Sequence, residues 1–219
     1  MFDFRGPVLV TGTDTGVGKT VVTAALASQL RLEGSTVEVI KIAQTGDDDD
    51  AAEISRLADV PARALVKYRD PLAPLTAARR EERPPLSLGT VVDAVYDSDA
   101  EVILLEGAGG LLVELGENGW TLADLAVHLE CPSVVVARSG LGTLNHTALT
   151  LEALRHRGIE STVVIGALSA EPDLAESENL TDLPGDRLAV LPAGMGALTP
   201  EEFQRHAEKA VPQLTRRTM

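Results

Sequence analysis

The chain has 219 residues, one cysteine (Cys131), and 33 acidic against 19 basic side chains, which give it a net charge of −14. The single cysteine excludes an intramolecular disulfide and a cysteine-rich zinc site, and the acidic excess argues against nucleic acid and anionic membranes as partners. No apolar run approaches the ~20 residues of a membrane-spanning helix, so we expect no membrane partner and a cytoplasmic location.

Short apolar segments alternate with helical patterns along the chain, which is typical of βαβ units around a parallel sheet. In chain order the first half predicts a strand at 8–11, a helix at 21–32, a strand at 37–40, and helices at 50–58 and 88–96. Residues 61–85, between the last two helices, carry five prolines and indicate a long, partly irregular connection.

The second half continues the alternation. It predicts a strand at 102–105, a capping box at 121–124 with a helix to residue 129, a strand at 133–137, a helix at 147–157, strands at 162–168 and 188–191, and a final helix capped by residues 199–202. The fold class expected from this order is α/β, with three layers α/β/α and a mostly parallel central sheet. We expect one domain over residues 1–219, because neither a linker nor a second core is evident.

A glycine-rich segment joins the first strand to the first helix. Residues 11–20 read Thr-Gly-Thr-Asp-Thr-Gly-Val-Gly-Lys-Thr, a P-loop in the strand–helix context that such a loop requires. Its backbone N–H groups can surround phosphate oxygens, while Lys19 reaches the β- and γ-phosphates and the Thr20 hydroxyl binds Mg²⁺. Five residues separate Gly12 from Gly18 where the common motif has four, and the alternative is a glycine-rich turn without a ligand.

Two further charged residues follow predicted strands. Lys41 comes directly after the second strand, so its ammonium group can point into the crevice at the carboxyl edge of the sheet. Glu106 follows a strongly apolar strand, where acidic residues of P-loop proteins meet Mg²⁺. A surface lysine and a structural glutamate are the alternatives.

The motifs together resemble the dethiobiotin synthetase family. They comprise the variant P-loop, Lys41, Gln-Thr-Gly at 44–46, Glu-Gly-Ala-Gly-Gly at 106–110 and Leu-Gly-Thr-Leu-Asn-His at 141–146, and they occur in order between residue 11 and about residue 194. The resemblance implies a P-loop NTPase-like fold and a homodimeric, Mg-ATP-dependent enzyme of biotin biosynthesis. Such enzymes convert 7,8-diaminopelargonic acid, CO₂ and ATP into dethiobiotin, ADP and phosphate through a carbamate and a carbamic-phosphoric anhydride.

The resemblance also implies roles for individual residues. Lys41 and Lys19 would act in catalysis, and Thr20, Asp50 and Glu106 would bind Mg²⁺, with Asp49 the alternative to Asp50. The expected substrate contacts are Thr15, Lys41 and Thr45, and, from the opposite subunit, Gly142, Thr143, Leu144 and Asn145 at a helix start. The expected nucleotide contacts are Gly16, Val17, Gly18, Lys19, Thr20, Val21, Asp50, Glu106, Gly107, Ala108, Gly109, Gly166, Ala167, Pro192, Ala193 and Gly194. A capped helix start without a ligand is the alternative for residues 142–145.

The chain departs from the family at three places. Lys41 is followed by Ile-Ala where relatives often have Pro-Val, and Gly16 replaces a glutamate found in some of them. Gly-Ala-Leu-Ser at 166–169 replaces an Asn-Asp pair that reads adenine in some relatives. We therefore expect relaxed nucleotide choice, with ATP usable and CTP a competitor.

The competing prediction is a ParA/MinD-type ATPase switch. Those proteins carry a signature lysine early in the P-loop, and Asp14 stands at that position here. Their basic DNA-binding patch and terminal amphipathic helix are also not evident in this sequence.

Overall fold

The computed structural model describes residue 2 and residues 4–215. Its strands are β1 (Gly6–Gly12), β2 (Val37–Lys41), β3 (Gln44–Thr45), β4 (Ala62–Ala64), β5 (Lys67–Tyr68), β6 (Val102–Gly110), β7 (Ser133–Ala137), β8 (Ser161–Leu168) and β9 (Arg187–Pro192). Seven of them form one sheet in the order β4-β2-β6-β1-β7-β8-β9, and β3 pairs with β5 in a small second sheet. Every strand pairing in the described part of the chain is parallel.

Helices connect the strands. They are α1 (Lys19–Leu32), α2 (Asp50–Ala58), α3 (Pro74–Arg80), α4 (Leu88–Tyr96), α5 (Leu122–His128), α6 (Thr143–Arg155), α7 (Leu174–Asp182) and α8 (Pro200–Ala210). Single turns of 3-10 helix lie at Glu117–Gly119 and Met195–Ala197. No helix among the described residues is both long enough and apolar enough to cross a membrane.

The core lies on both faces of the large sheet. Side chains of β1 alternate between two apolar clusters, because successive residues of a strand point to opposite faces. Val8 and Val10 pack with α1, α2 and α8, whereas Leu9 packs with α4, α5 and α6. Burial on both faces explains why the strands read as continuous apolar runs. The predicted three-layer α/β/α fold is confirmed.

Local signals placed many helix ends correctly. Helices α2 and α4 and strand β7 have the predicted bounds. Reciprocal capping boxes begin α5 at Thr121 with Asp124 and α8 at Thr199 with Glu202. Such caps satisfy backbone N–H groups that have no partner within the helix.

Several segments differ from the sequence expectation. The connection at residues 61–85 contains β4, β5 and α3, with Pro74 at the start of α3. Helix α6 begins at Thr143, one turn before the predicted start at residue 147. Helix α7 was not predicted: Asn179 is its one buried residue, so it lacks the apolar stripe that signals a helix.

Four strand ends meet at the carboxyl edge of the sheet. Strand β1 lies between β6 and β7 and leads into the P-loop, while β2 lies on the other side of β6. Lys41 at the end of β2 is in register with Glu106, which lies within β6 rather than after the strand. Ligands of open α/β sheets bind at this edge, where the chain connections change direction.

Candidate active site

The P-loop folds around the side chain of Lys19. Gly16 and Gly18 have φ values of +73° and +96°, a conformation in which other residues are strained. A Cβ atom on Gly12 would lie 2.9 Å from the Asp14 carbonyl oxygen, so a larger residue there would displace the loop around Lys19. The Lys19 ammonium donates a hydrogen bond of 2.9 Å to the Asp14 carbonyl oxygen. The loop thus holds the buried ammonium group of Lys19 at the start of α1.

The electrostatics of this loop favour an anion. Burial, with a smaller contribution from the Lys41 ammonium, lowers the pKa of Lys19 to about 8, although Glu106, Asp50 and Asp14 oppose the shift. Helix α1 begins after Gly18 with no side-chain cap and no acidic residue in its first turn. Its free N–H groups and the helix dipole therefore favour negative charge at this point.

A second charged cluster centres on Lys41. Its Nζ atom lies 2.5 Å from Asp50 Oδ2 and 2.8 Å from Glu106 Oε1, and it donates to the Gly107 carbonyl oxygen at 3.2 Å. Burial opposes the charge on Lys41, but the two carboxylates outweigh it and raise the pKa of the lysine above its usual value. Burial likewise raises the pKa of Asp50, but Lys41 and Thr20 outweigh it and lower that pKa. Lys41 and Asp50 consequently both carry charge near neutral pH.

Thr20 links the P-loop to this cluster. Its Oγ1 lies 2.9 Å from Asp50 Oδ1 and 3.2 Å from Glu106 Oε1, so its single proton is shared between two acceptors. The three oxygen-bearing side chains come from α1, α2 and β6, which are far apart in sequence. Packing of α1 and α2 beside the sheet brings them together.

The structure distinguishes Asp50 from Asp49. Asp49 accepts a hydrogen bond of 3.1 Å from the Ala52 N–H as the N-cap of α2, and it pairs with the exposed Lys67 at 2.5 Å. The Asp50 N–H donates to Gln44 Oε1 at 3.1 Å, while the Asp50 carboxylate turns toward Thr20. The sequence did not indicate this contact of the buried Gln44 amide with Asp50.

The site fits a divalent cation bound together with phosphate. Glu106 is fully buried, and its Oε2 atom has no hydrogen-bond partner, which is costly for a carboxylate unless a cation or water satisfies it. Among the described residues, no group of three or more His, Cys, Asp and Glu side chains could hold a metal ion. A cation here would therefore need other ligands beside the two carboxylates. Thr20, Asp50 and Glu106 offer oxygen ligands, and Mg²⁺ typically uses one or two carboxylates together with phosphate oxygens and water.

A cavity of about 690 Å³ opens between the P-loop and the β3–α3 segment. The predicted site residues that line it are Thr15, Gly16, Gly18, Lys19, Thr20, Val21, Lys41, Thr45, Asp50, Ala108 and Gly109. Its other wall is largely apolar and includes Pro71, Leu72, Pro74 and Val113, which the sequence did not indicate. Those residues lie in the proline-rich segment and after β6, where no local pattern marks a binding role. The cavity therefore combines a charged end with an apolar wall.

Comparisons with known proteins identify the family. A family model described as an AAA domain matches residues 7–193. ATP-dependent dethiobiotin synthetase BioD from Rhodococcus erythropolis is 51% identical over 212 residues, covering 91% of this chain and 93% of the relative. The corresponding protein from Mycolicibacterium gilvum is 49% identical and covers 93% and 94% of the two chains. The chain belongs to the dethiobiotin synthetase family.

Membership of the dethiobiotin synthetase family confirms several predictions. The protein is an ATP-dependent ligase of biotin biosynthesis that uses ATP and small-molecule substrates. Solved structures of FtsY from Thermotoga maritima and of the MinC:MinD complex from Aquifex aeolicus each match with a TM-score of 0.53. They are 14% and 13% identical, cover 98% and 93% of this chain, and span 70% and 86% of their own chains. This likeness confirms the P-loop NTPase-like fold and does not favour a switch function.

The remaining predicted nucleotide contacts lie outside the cavity lining. Val17 and Glu106 are buried beneath it, Gly107 packs against Leu122, and Gly166 is buried under the P-loop. The exposed residues at the ends of β8 and β9 are Ala167, Pro192, Ala193 and Gly194. The Ala193 N–H donates to the Leu168 carbonyl at 2.8 Å, so these two strand ends lie together beside the loop. Their contact with a nucleotide stays a prediction.

The predicted carboxylate-binding segment of the family forms the first turn of α6. Gly142 is the N-cap with φ of +93° and no side-chain cap, Thr143 is buried, and Asn145 is exposed. These residues and Leu144 do not line the cavity of their own subunit. Their role in a partner subunit's pocket therefore stays a prediction.

Proposed function

We propose that this protein is a Mg-ATP-dependent dethiobiotin synthetase that carboxylates 7,8-diaminopelargonic acid with CO₂ and closes the ureido ring, releasing ADP and phosphate. The observation that carries this proposal is the placement of Lys41 between Asp50 and Glu106, across from the P-loop lysine in one cavity. Two lysines at one end of a cavity suit a reaction in which a carboxylated amine attacks a phosphate.

The chemistry needs charge neutralisation and positioning. Lys19 and the free N–H groups of α1 would hold the β- and γ-phosphates. Thr20, Asp50 and Glu106 would hold Mg²⁺, which when bound neutralises charge on the phosphate oxygens. Lys41 would orient the carbamate oxygen toward the γ-phosphorus, and its permanent charge favours an anionic nucleophile.

The bond changes balance without a further reactant. One substrate amine forms a C–N bond with CO₂ and loses a proton, which yields the carbamate. A carbamate oxygen then forms a bond to the γ-phosphorus as the bond to ADP breaks. The second amine attacks the carbonyl carbon of this mixed anhydride, loses a proton and expels phosphate, so the urea ring closes.

The cavity suits the rest of the substrate. Thr15 and Thr45 offer hydroxyl groups at its charged end, and the wall at Pro71, Leu72 and Val113 matches a methylene chain. We propose that the carboxylate of that chain binds the first turn of α6 from the opposite subunit of a homodimer. Leu141 lies beside that turn and is 87% exposed in the single chain. An apolar residue with this exposure is what an interface between two copies would cover.

The proposal extends to which nucleoside triphosphate the protein uses. Residues 166–169 carry no amide side chain that could read adenine, so backbone groups at 192–194 would make more of the base contacts. We propose that ATP is used and that CTP competes. A strong preference for ATP over the other three nucleoside triphosphates in binding measurements would contradict this. A single domain over residues 1–219 and a cytoplasmic location stay predictions.

The decisive test is formation of dethiobiotin from 7,8-diaminopelargonic acid, bicarbonate and Mg-ATP, followed by mass spectrometry. The proposal requires the product to appear with one ADP released per ring closed. ATP hydrolysis that is independent of the diamine, without dethiobiotin, would favour the ATPase switch instead.

A further inference from the structure

We infer that Asn179 of α7 is a positioning residue for the first turn of α6, and that it acts through the loop at Ser139 and Gly140. The Asn179 side-chain amide donates to the Ser139 carbonyl at 2.7 Å and to the Gly140 carbonyl at 3.1 Å. The Gly140 carbonyl also accepts from the Thr143 N–H at 3.3 Å. The Asn179 amide therefore positions the Gly140 carbonyl, which accepts a hydrogen bond from the first residue of α6.

Ser139 ties the same loop to the strand end beside it. Its Oγ atom lies 2.9 Å from the Ala167 carbonyl and 2.5 Å from Glu176 Oε1, so its proton is shared between the two acceptors. Glu176 also completes the capping box of α7, because its side chain accepts from the Asp173 N–H. The α7 helix, the loop and the end of β8 are thus joined by hydrogen bonds.

The composition of α7 indicates a dedicated contact. Asn179 is 6% exposed and is the one buried residue of the helix, whereas Leu174 is 79% exposed. The helix therefore contacts the loop through hydrogen-bonding side chains and not through an apolar stripe. Without the amide donors the Ser139 carbonyl would lose this partner, and an unpaired buried polar group is costly.

The consequence for the reaction rests on the proposed function. There, residues 142–145 receive the carboxylate of the substrate, and a helix N-terminus binds an anion only if its N–H groups converge. Gly142, with φ of +93° and no side-chain cap, depends on its surroundings for that geometry. Asn179 would accordingly control affinity for the diamino acid and leave nucleotide binding unchanged.

Two variants separate loss of the donors from a change of charge. Asn179→Asp keeps the size of the side chain and removes both donors, and Asn179→Leu removes them without adding charge. Glu178→Gln on the exposed face of the same helix is the matched control. We expect KM for diaminopelargonic acid to rise about tenfold in both Asn179 variants, the effect of losing one or two hydrogen bonds. KM for ATP should change less than twofold, and the control should match the unmodified protein.

Amide hydrogen exchange gives a readout that needs no catalysis. The N–H groups of Thr143 and His146 donate to the carbonyls of Gly140 and Gly142, so peptides over 140–147 report the first turn of α6. Faster exchange there in both Asn179 variants, with unchanged exchange in α1, supports the inference even if the unmodified protein forms no dethiobiotin. Unchanged exchange at 140–147 overturns it, as does an equal rise of both KM values in an active enzyme.

Discussion

Gly166 packs directly beneath Val17 of the P-loop, so closely that a Cβ atom at position 166 would lie 2.1 Å from the Val17 carbonyl oxygen. A Cβ atom on Gly18 would in turn lie 3.1 Å from the Gly166 carbonyl. The end of β8 therefore supports the loop from below, and glycine is required because the two backbones touch. This contact gives Gly166 a structural role that does not depend on a bound base.

Replacement of Gly166 tests this contact. We expect Gly166→Ala to displace the P-loop, lower the free energy of unfolding by about 1–3 kcal/mol and weaken ATP binding, because a methyl group has no room there. Thermal unfolding and binding of a fluorescent ATP analogue measure the two effects. Gly89→Ala is the control, since its Cβ atom would meet nothing closer than 3.8 Å. Equal behaviour of the two variants would show that β8 does not support the loop.

Lys41 carries the proposed catalytic step. We expect Lys41→Ala to reduce dethiobiotin formation by at least about 100-fold while nucleotide binding is largely retained, because Lys19 and the helix start still hold the phosphates. Product formation and nucleotide affinity are measured on the same preparation. Lys67→Ala removes a lysine that is 57% exposed and serves as the control. Unchanged turnover in the Lys41 variant would remove this residue from the mechanism.

The two neighbouring aspartates give opposite expectations. Asp50→Asn should raise the Mg²⁺ concentration for half-maximal activity by about tenfold or more, because it removes one of two carboxylates at the proposed metal site. Asp49→Asn should change it less than twofold, because asparagine also caps helices well and the lost ion pair with Lys67 is exposed. Direct binding of Mn²⁺, measured by electron paramagnetic resonance, shows which of the two variants loses more metal affinity. The reverse order of effects would move the metal role to Asp49.

Glu33 ties the C-terminal segment to α1 in a pH-dependent way. Its carboxylate accepts hydrogen bonds from Gln29 at 2.7 Å and from the N–H groups of Leu214 and Thr215 at 2.8 and 2.6 Å. Burial works to raise the pKa of Glu33, but hydrogen bonds led by that of the Thr215 hydroxyl outweigh it and lower this pKa below 4.5. The stabilisation is consequently present above the unfolded pKa and is lost as the pH falls through the folded one.

The variant Glu33→Gln should therefore be less stable than the unmodified protein by about 1 kcal/mol at pH 7, a modest value because solvent screens the carboxylate. Below about pH 4 the difference should shrink, because the unmodified side chain also becomes neutral. Denaturant unfolding from pH 3 to pH 8 measures the difference. A difference that stays constant across this range would exclude the carboxylate charge as its source.

Features that depend on neighbouring residues can be predicted from the sequence alone. Such features act over only a few residues. They include the capping boxes at Thr121 and Thr199, the glycine spacing of the P-loop and the β-branched run of β7. They therefore appear in the sequence as patterns, and the order of strands and helices that they mark predicts the α/β layers.

How distant residues meet depends on the packing of the folded chain. Lys41 and Glu106 are 65 residues apart, and they pair because β2 lies beside β6 in a fixed register. Asp49 caps α2 whereas Asp50 faces Thr20, and this difference arises from the packing of α2 beside α1. Helix α7 is held through Asn179 and Glu176, so its place depends on polar groups of a loop about 40 residues earlier. Such contacts arise from packing between elements, and no local pattern in the sequence encodes them.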